Sequence, residues 1–558
     1  MIPPTHFIRL CGSAVRCARL PAILAALSLV MAVAGCSTLP EHVDRRPSTA
    51  LSDTGNATLG RIAAASITVS EKSASSPIPR SGFRLVGSGT EAFGTLFTLI
   101  ERSERSLDMQ YYIIEDDEYS RALLRAARNA AERGVRVRVL VDDLYTAGKD
   151  QRFAWYSAHP NIEVRIFNPF SYGRAFLVTR LLASVTDLSR INHRMHNKLF
   201  IADNAFAVTG GRNLGAEYYT HSDKTNFLDA DLLVAGPAVR DLSGAFDVYW
   251  NSKYAYPIEE LTGPVAATRP TVDQKSLSDP DDPVRRATEE ARQQGADLAS
   301  EFDAGRVALI TAPAQVIVDR PTKVDATSPE PIATSGTSGD TAGETTGETT
   351  GETIARDIVR IAKGARSELI VVSPYFVPGE SGMAVTRELT ARGVKVRVLT
   401  NSLAATDAAL VHIGYSRYRE PLLKLGVELY ELRPTPDKKR PQLGAFGSSK
   451  ASLHAKILVV DRKTVFVGSF NVDPRSALEN TEMGIRVESP RIAEQVIELL
   501  LSHGDESRYR VQLAADGHLQ WVTGKQGEEE SFDHEPDASP LLKLTLRLLA
   551  PFAPEQML

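Results

Sequence analysis

Apolar and polar positions along this chain follow two periods in alternation. From Glu91-Ala92-Phe93 to Glu101 the apolar residues recur every three or four places, which predicts an amphipathic helix. Leu107 to Ile113 reads as a strand, about Ser120 to Arg133 as a second helix, and Val135 to Val141 as a second strand. Strand, helix, strand in that order predicts a parallel sheet with right-handed crossovers. The same sequence of periods returns later, with a helix over Ile354–Lys363 and a strand over Leu369–Val372. Leu199-Phe200-Ile201 and Ile457-Leu458-Val459-Val460 are unbroken apolar runs of the kind that form strands buried on both faces.

These returns are an internal repeat. Gly134-Val135-Arg136-Val137-Arg138-Val139-Leu140 matches Gly393-Val394-Lys395-Val396-Arg397-Val398-Leu399, an offset of 259 (393 − 134). Arg105-Ser106 matches Arg366-Ser367 at an offset of 261 (366 − 105). A chain of 558 residues has room for two such domains, so it reads as a tandem duplication of one α/β unit.

Each half carries one copy of a chemical motif. His196-Asn197-Lys198 followed by Asp203 is His-x-Lys-x4-Asp, and His454-Ala455-Lys456 followed by Asp461 repeats it. Six residues then separate each Asp from a small pair, Gly210-Gly211 or Gly468-Ser469, with Asn213 or Asn471 two places beyond. On a strand, His and Lys two apart point to one face. Two His, two Lys and two Asn converging from two halves suit a phosphodiester. The lysines and amides neutralise non-bridging oxygens, one His attacks phosphorus and the other protonates the leaving oxygen. A carboxylate on a neighbouring strand would fix each His through its second ring nitrogen. The candidates are Asp231 and Glu482, which occupy matching places (482 − 231 = 251) beside Asp229 and Asn480, with the motif residues Asp203 and Asp461 as rivals.

The paired motifs resemble those of the phospholipase D superfamily, and within it the bacterial cardiolipin synthase C branch. The shared stretches include Leu107-Asp108-Met109-Gln110-Tyr111-Tyr112, Phe167-Asn168-Pro169-Phe170, Arg194-Met195-His196-Asn197-Lys198, Gly210-Gly211-Arg212-Asn213, Thr400-Asn401-Ser402-Leu403-Ala404-Ala405 and Asn480-Thr481-Glu482-Met483-Gly484. The resemblance implies two pseudo-twofold-related α/β domains, each a mixed or mostly parallel sheet flanked by helices. It implies a phosphatidyltransferase moving a phosphatidyl group to phosphatidylglycerol through a phosphohistidine, with phosphatidylglycerol or phosphatidylethanolamine as donor. His196, Lys198, Asp203, His454, Lys456 and Asp461 would be the catalytic set. Asn213, Asn471, Gly210, Gly211, Gly468 and Ser469 would hold the substrate phosphate. By family habit His196 is the nucleophile. The alternatives are a hydrolytic phospholipase D using water, a secreted phosphodiesterase or nuclease, and a non-catalytic envelope scaffold, which would be expected to have lost a motif residue.

The remaining stretches set the expected surroundings. Arg9, Arg16 and Arg19 precede the uncharged run Leu20–Ala34 and then Val33-Ala34-Gly35-Cys36, which resembles a lipoprotein signal with acylation at Cys36. Loss of residues 1–35 would take the formal charge from −5 to −8, an acidic balance that disfavours nucleic acid as a partner. The expected order is therefore a signal peptide to 35, a tether over 36–80 and a first domain over 81–262. A connection over 263–300 and a second domain over 301–525 follow, then a tail over 526–558. Within the second domain the Gly-Glu-Thr-Thr repeats of 324–353 lack any apolar face and predict a disordered insertion. Phe170–Arg190 mixes apolar residues with arginine and suits either a packed helix or an interfacial lid. His412, Tyr415, Arg417, Tyr418 and Arg419 are expected as exposed helix residues, Asp437-Lys438-Lys439-Arg440 as a solvated charge run, and Leu541–Leu549 as a helix on a membrane or on the protein. The chain has no metal-ligand spacing, so no metal and no cofactor is expected. The expected partners are phospholipids and a membrane surface, with the protein a monomer lipid-anchored in the bacterial cell envelope and facing the periplasm.

Overall fold

The computed structural model describes residues 39–67, 80–180, 188–262, 282–325, 353–434, 450–501 and 504–550, except positions 41, 53, 172, 175, 177 and 526. The expected signal segment with Cys36, nearly all of the expected 324–353 insertion, and the run Asp437–Arg440 lie outside these residues.

The first half contributes β1 (Arg80–Val86), β2 (Ser106–Tyr111), β3 (Arg136–Asp142), β4 (Ile162–Phe167), β5 (Leu199–Ala202), β6 (Phe206–Gly210), β7 (Thr225–Leu228), β8 (Asp231–Ala235) and β9 (Ala255–Pro257). The second contributes β10 (Ile310–Val318), β11 (Glu368–Val372), β12 (Lys395–Asn401), β13 (Glu428–Leu432), β14 (Lys450–Leu453), β15 (Ile457–Val460), β16 (Thr464–Gly468), β17 (Met483–Glu488), β18 (Arg508–Leu513), β19 (Leu519–Thr523) and β20 (Glu530–Phe532).

The expected helices form where their end signals stand. Gly89–Arg102 starts at Ser88, whose side chain accepts the Glu91 N–H at 3.1 Å while Glu91 accepts the Gly87 N–H, a near-reciprocal cap. Glu118–Glu132 starts at Asp117, which accepts the Ser120 N–H at 2.8 Å. Ile354–Lys363 keeps the predicted bounds.

Within the first half the strand order is β9-β4-β3-β2-β5-β6-β8-β1. The second half repeats it as β18-β13-β12-β11-β15-β16-β17-β10, with β19 and β20 added beyond β18. Antiparallel pairing of β1 with β10, Arg80 opposite Pro313, joins the two into one eighteen-stranded sheet. The halves are thus related by a pseudo-twofold at their junction. Their sheets are mixed, but most ladders are antiparallel, which corrects the mostly parallel expectation. Only β2-β3-β4 and β11-β12-β13 run parallel in this sheet, because the motif strands β5 and β15 return against β2 and β11 and continue into hairpins.

The described residues form three large apolar cores and a small fourth under the tail helix. One lies under the helices of the first half and another under those of the second. The central one joins Leu232 and Val234 of the first half to Ile457, Val467 and Ile485 of the second. Burial of side chains of this size is worth about 1.5–3 kcal/mol each, so the interface holds the halves as one body.

Two domain expectations change. Helices Pro283–Gln294 and Ala296–Asp303 bury Ala287, Ala291, Leu298 and Phe302 in the core of the first half, so the second part of the 263–300 connection is part of that domain. Gly94 and Gly295 let the backbones touch there, since a side chain at either would strike the other segment. The 36–80 tether is also shorter than expected. Thr58–Ser66 is a helix burying Leu59 and Ile62, and Ser48 accepts hydrogen bonds from buried Arg138 and from the Trp250 indole at 2.9 Å. Small and polar residues disguised these contacts in the sequence.

The tail helix Pro540–Leu549 docks through Leu542 and Leu546 onto Leu403 and Ile413, leaving Leu541, Leu544, Leu548 and Leu549 exposed. No helix among the described residues is long and apolar enough to cross a membrane.

Candidate active site

Both motif histidines sit in the extended segments that enter β5 and β15, and each is pinned to the opposite half by its backbone. His196 donates its N–H to Thr481 O at 2.9 Å, and Thr481 donates back to Arg194 O at 2.9 Å. His454 donates to Leu228 O at 2.8 Å, at the end of the parallel pair β14–β7. The side chains cross in the same sense. His196 Nδ1 meets Glu482 Oε2 at 2.9 Å, and His454 Nδ1 meets Asp229 Oδ2 at 2.7 Å. With Nδ1 donating to a carboxylate, each ring leaves Nε2 with its lone pair free for chemistry.

The two pairs are built differently. Asp229 has a short side chain and needs room: a side chain at Gly211 would run into its carboxylate. Burial alone would raise Asp229, but His454, Lys456 and Arg212 outweigh it and hold the carboxyl at about 2. At the matching place the second half has Ser469, whose hydroxyl donates to Glu482, as does Ser476 Oγ at 2.8 Å. Burial pushes Glu482 up to about 7 against the pull of Lys198 and these hydroxyls. Burial and the two lysines depress both histidines, His196 well below its usual range. His454 settles at about 4, with the Asp229 charge working in its favour.

Lys198 and Lys456 are buried between these groups. Lys198 Nζ donates to His196 O at 2.7 Å, and Lys456 Nζ donates to His454 O. The charge of Lys456 acts on His196 and that of Lys198 on His454, so all four side chains share one pocket. Burial lowers both lysines, Lys456 to about 8. Aromatic rings wall the pocket. Tyr112 stands edge-on to His196 with centroids 4.9 Å apart, and Tyr218 edge-on to His454 at 5.2 Å. Neither role was legible in the sequence, because a tyrosine before a loop is common.

The motif asparagines are close by but not equivalent. Asn213 is engaged at both ends, accepting Ile113 N–H at 3.1 Å and donating to Tyr218 Oη at 2.9 Å. Asn471 is buried, and its Oδ1 has no partner among the described residues. Gly210, Gly211, Gly468 and Ser469 lie against the carboxylate-bearing strands, so their visible task is to seat Asp229, Asp231 and Glu482.

Three expected residues are elsewhere. Asp231 does not reach a histidine: Arg212 holds it at 2.9 Å, and Asp229 does the bracing instead. The matching place by sequence offset fails because the strands align at 253 rather than 251: Asp231 faces Gly210 as Gly484 faces Gly468, which makes Asp229 the counterpart of Glu482. Asp203 and Asp461 are not in the pocket at all. Asp203 accepts N–H groups of Glu104, Arg105 and Ser106, and Asp461 those of Arg366, Ser367 and Glu368, fastening the starts of β2 and β11. Both turn in left-handed backbone at φ 51, which Asp tolerates.

The helix residues expected at the surface are partly a buried network. Arg419 pairs with Glu431 at 2.7 Å, Tyr415 donates to Glu431 at 2.7 Å, and His412 meets Glu535 at 2.9 Å. In the 170–190 stretch, Asp143 and Asp150 hold Arg174, Asp143 also holds Arg180, and Phe176 and Val178 are exposed.

Comparison with known proteins agrees with this geometry. A family profile described as "Cardiolipin synthase, PLD-like domain" matches residues 96–250 and 358–503. The chain is 36% identical over 462 residues to cardiolipin synthase C of Escherichia coli, covering 82% of this chain and 92% of that one. It is 24% identical over 396 residues to a cardiolipin synthase of Geobacillus kaustophilus, covering 71% and 60%. The phosphatidylserine synthase of Haemophilus influenzae shares the fold at a TM-score of 0.54 and 13% identity, covering 86% of this chain and 98% of that one.

Proposed function

This chain belongs to the phospholipase D superfamily, with both cardiolipin synthase-type domains present, and from that membership we propose that it is a phosphatidyltransferase that makes cardiolipin. The observation that carries the chemistry is the crossed bracing: two histidines in one pocket, each held by a carboxylate of the other half. Both histidines are depressed and so neutral near pH 7, and His196, the nucleophile by resemblance to the family, takes that role. Its Nε2 attacks phosphorus, the bond from phosphorus to the headgroup oxygen breaks, and His454 gives that oxygen a proton. His454 then takes a proton from a primary hydroxyl of phosphatidylglycerol, whose oxygen attacks phosphorus and releases His196. An anionic phosphodiester between the rings raises His454 from about 4 and so loads it as the acid. Lys198, Lys456 and Asn471 neutralise the non-bridging oxygens in a buried site, where such contacts are strongest.

Phosphatidylglycerol is the acceptor in this reading, and phosphatidylglycerol or phosphatidylethanolamine the donor. The protein works as a monomer at a bacterial envelope membrane, anchored through Cys36 and facing the periplasm. The apolar run before Cys36 and the lipid substrate support that location. Mass spectrometry of the mature N-terminus tests it, and an unmodified Cys36 would refute it.

Water competes for the same phosphohistidine, so products decide between transfer and hydrolysis. Purified protein on vesicles of phosphatidylglycerol, with and without phosphatidylethanolamine, should form cardiolipin and release glycerol or ethanolamine. Phosphatidic acid as the main product would make it a hydrolytic phospholipase D instead.

A further inference from the structure

The pocket is nearly symmetric in its chemistry, but its rim is not. On the His196 side the loop after β3 brings Tyr145 against Tyr112, ring centroids 5.4 Å apart. The charge of Arg475 reaches Tyr112, Tyr145 and His196 there. On the His454 side the loop after β12 brings an acid instead. Asp407 Oδ2 accepts the Tyr375 hydroxyl at 2.7 Å, and its charge acts on Lys456, Tyr218 and Tyr145.

That loop is held firmly. Asn401 exchanges two hydrogen bonds with Leu453, at 2.8 and 2.9 Å, in the strand that delivers His454. Tyr375 is fixed from the other side, since Val377 donates its N–H to Val472 O at 2.7 Å, next to the motif residue Asn471. A carboxylate whose charge reaches a phosphate-binding lysine weakens the hold on an anion. Its placement makes sense if another part of the ligand supplies hydrogen-bond donors. Asp407 is exposed, and among the described residues its second oxygen accepts no hydrogen bond.

We propose that Asp407, with the Tyr375 hydroxyl, reads the alcohol part of the substrate: the leaving headgroup in the first step and the incoming glycerol in the second. This rests on the transferase reading and on His454 as the acid, because a headgroup leaving in line from His196 departs on the His454 side. The chemistry recognised is a small alcohol carrying further O–H or N–H donors, as glycerol and ethanolamine do.

The test compares Asp407→Asn and Asp407→Ala with wild type on three donors in otherwise identical vesicles. These are phosphatidylglycerol, phosphatidylethanolamine and phosphatidyl-p-nitrophenol, whose leaving group has no donors. The ratio of kcat/KM for the natural donors to that for the nitrophenyl lipid should fall about 10- to 100-fold in both variants, as for a lost hydrogen bond to a charged group. A fall with phosphatidylethanolamine alone assigns the site to the ammonium, and a fall with both assigns it to any donor. The share of cardiolipin over phosphatidic acid should fall as well. An unchanged ratio, whether because all three rates drop together or because none does, would overturn the proposal. If wild type itself makes mainly phosphatidic acid, the transferase reading fails, while the donor ratio still decides the role of Asp407.

Discussion

His196 and Glu482 are 286 residues apart in sequence and belong to different halves, yet Nδ1 and Oε2 are 2.9 Å apart. His454 and Asp229 repeat the relationship in the opposite direction at 2.7 Å. Neither half therefore contains a complete catalytic pair. The fusion of two domains into one sheet through β1 and β10 is what brings each imidazole to its carboxylate.

Glu482→Gln and Asp229→Asn should keep the fold and lose the tautomer control, lowering kcat by about 10²- to 10⁴-fold. These are positioning residues, so the pH–rate profile should change as well as the rate. A variant with near-normal kcat and an unshifted profile would remove the bracing from the mechanism.

Removal of either histidine should be equally severe. His196→Ala and His454→Ala should each cost at least about 10³-fold in cardiolipin formation, since the pair acts as one unit. Substantial turnover by either variant would mean that each half works alone.

The lysines set the alkaline limit. Lys456 at about 8 must be charged to hold the phosphate, so kcat/KM should fall as pH rises through about 8. The same shift has a stability sign. A lysine lowered from about 10.4 binds fewer protons when folded, so its charged form weakens the fold below about 8 and that penalty is relieved as pH rises from 8 toward 10.4. A kcat/KM profile flat to pH 9.5 would contradict the assignment.

The motif aspartates should behave as fasteners. Asp461→Asn weakens acceptance of the Arg366, Ser367 and Glu368 N–H groups and should cost about 1–3 kcal/mol, read as a lower melting temperature. Asp461 is held at about 2, below the usual 3.9, so its contribution is whole above pH ~4 and is lost as pH falls toward 2. At a temperature where the variant is folded, kcat should stay within about threefold, and a loss of 10²-fold there would return Asp461 to the chemistry.

The duplication, the helices at Glu91–Glu101 and Ile354–Lys363 and both motifs were legible because they are local patterns of period or spacing. Pairing across the molecule was not. Nothing in Leu199–Ala202 announces that β5 returns antiparallel to β2, since buried parallel and antiparallel strands are equally apolar. Asp229 was hidden by its neighbour Asp231, which matches Glu482 by offset but is taken by Arg212. A clue was available in Gly211 opposite Ser469: a missing side chain on one side and a hydroxyl on the other report carboxylates of different length. The burial of Arg419 and His412 was equally invisible, because their partners Glu431 and Glu535 lie 12 and 123 residues away.

The two-histidine mechanism depends most on a covalent phosphorus–nitrogen bond at one histidine. It is tested by incubating His454→Ala with phosphatidyl-p-nitrophenol labelled at phosphorus, whose leaving group needs no proton from His454, quenching in alkali, which preserves phosphohistidine, and locating the label by mass spectrometry. The label should sit on His196 as a phosphatidyl adduct, with one p-nitrophenolate released per chain and no further turnover. Label on another residue, or continued turnover with no adduct at His196, would contradict the shared two-histidine site.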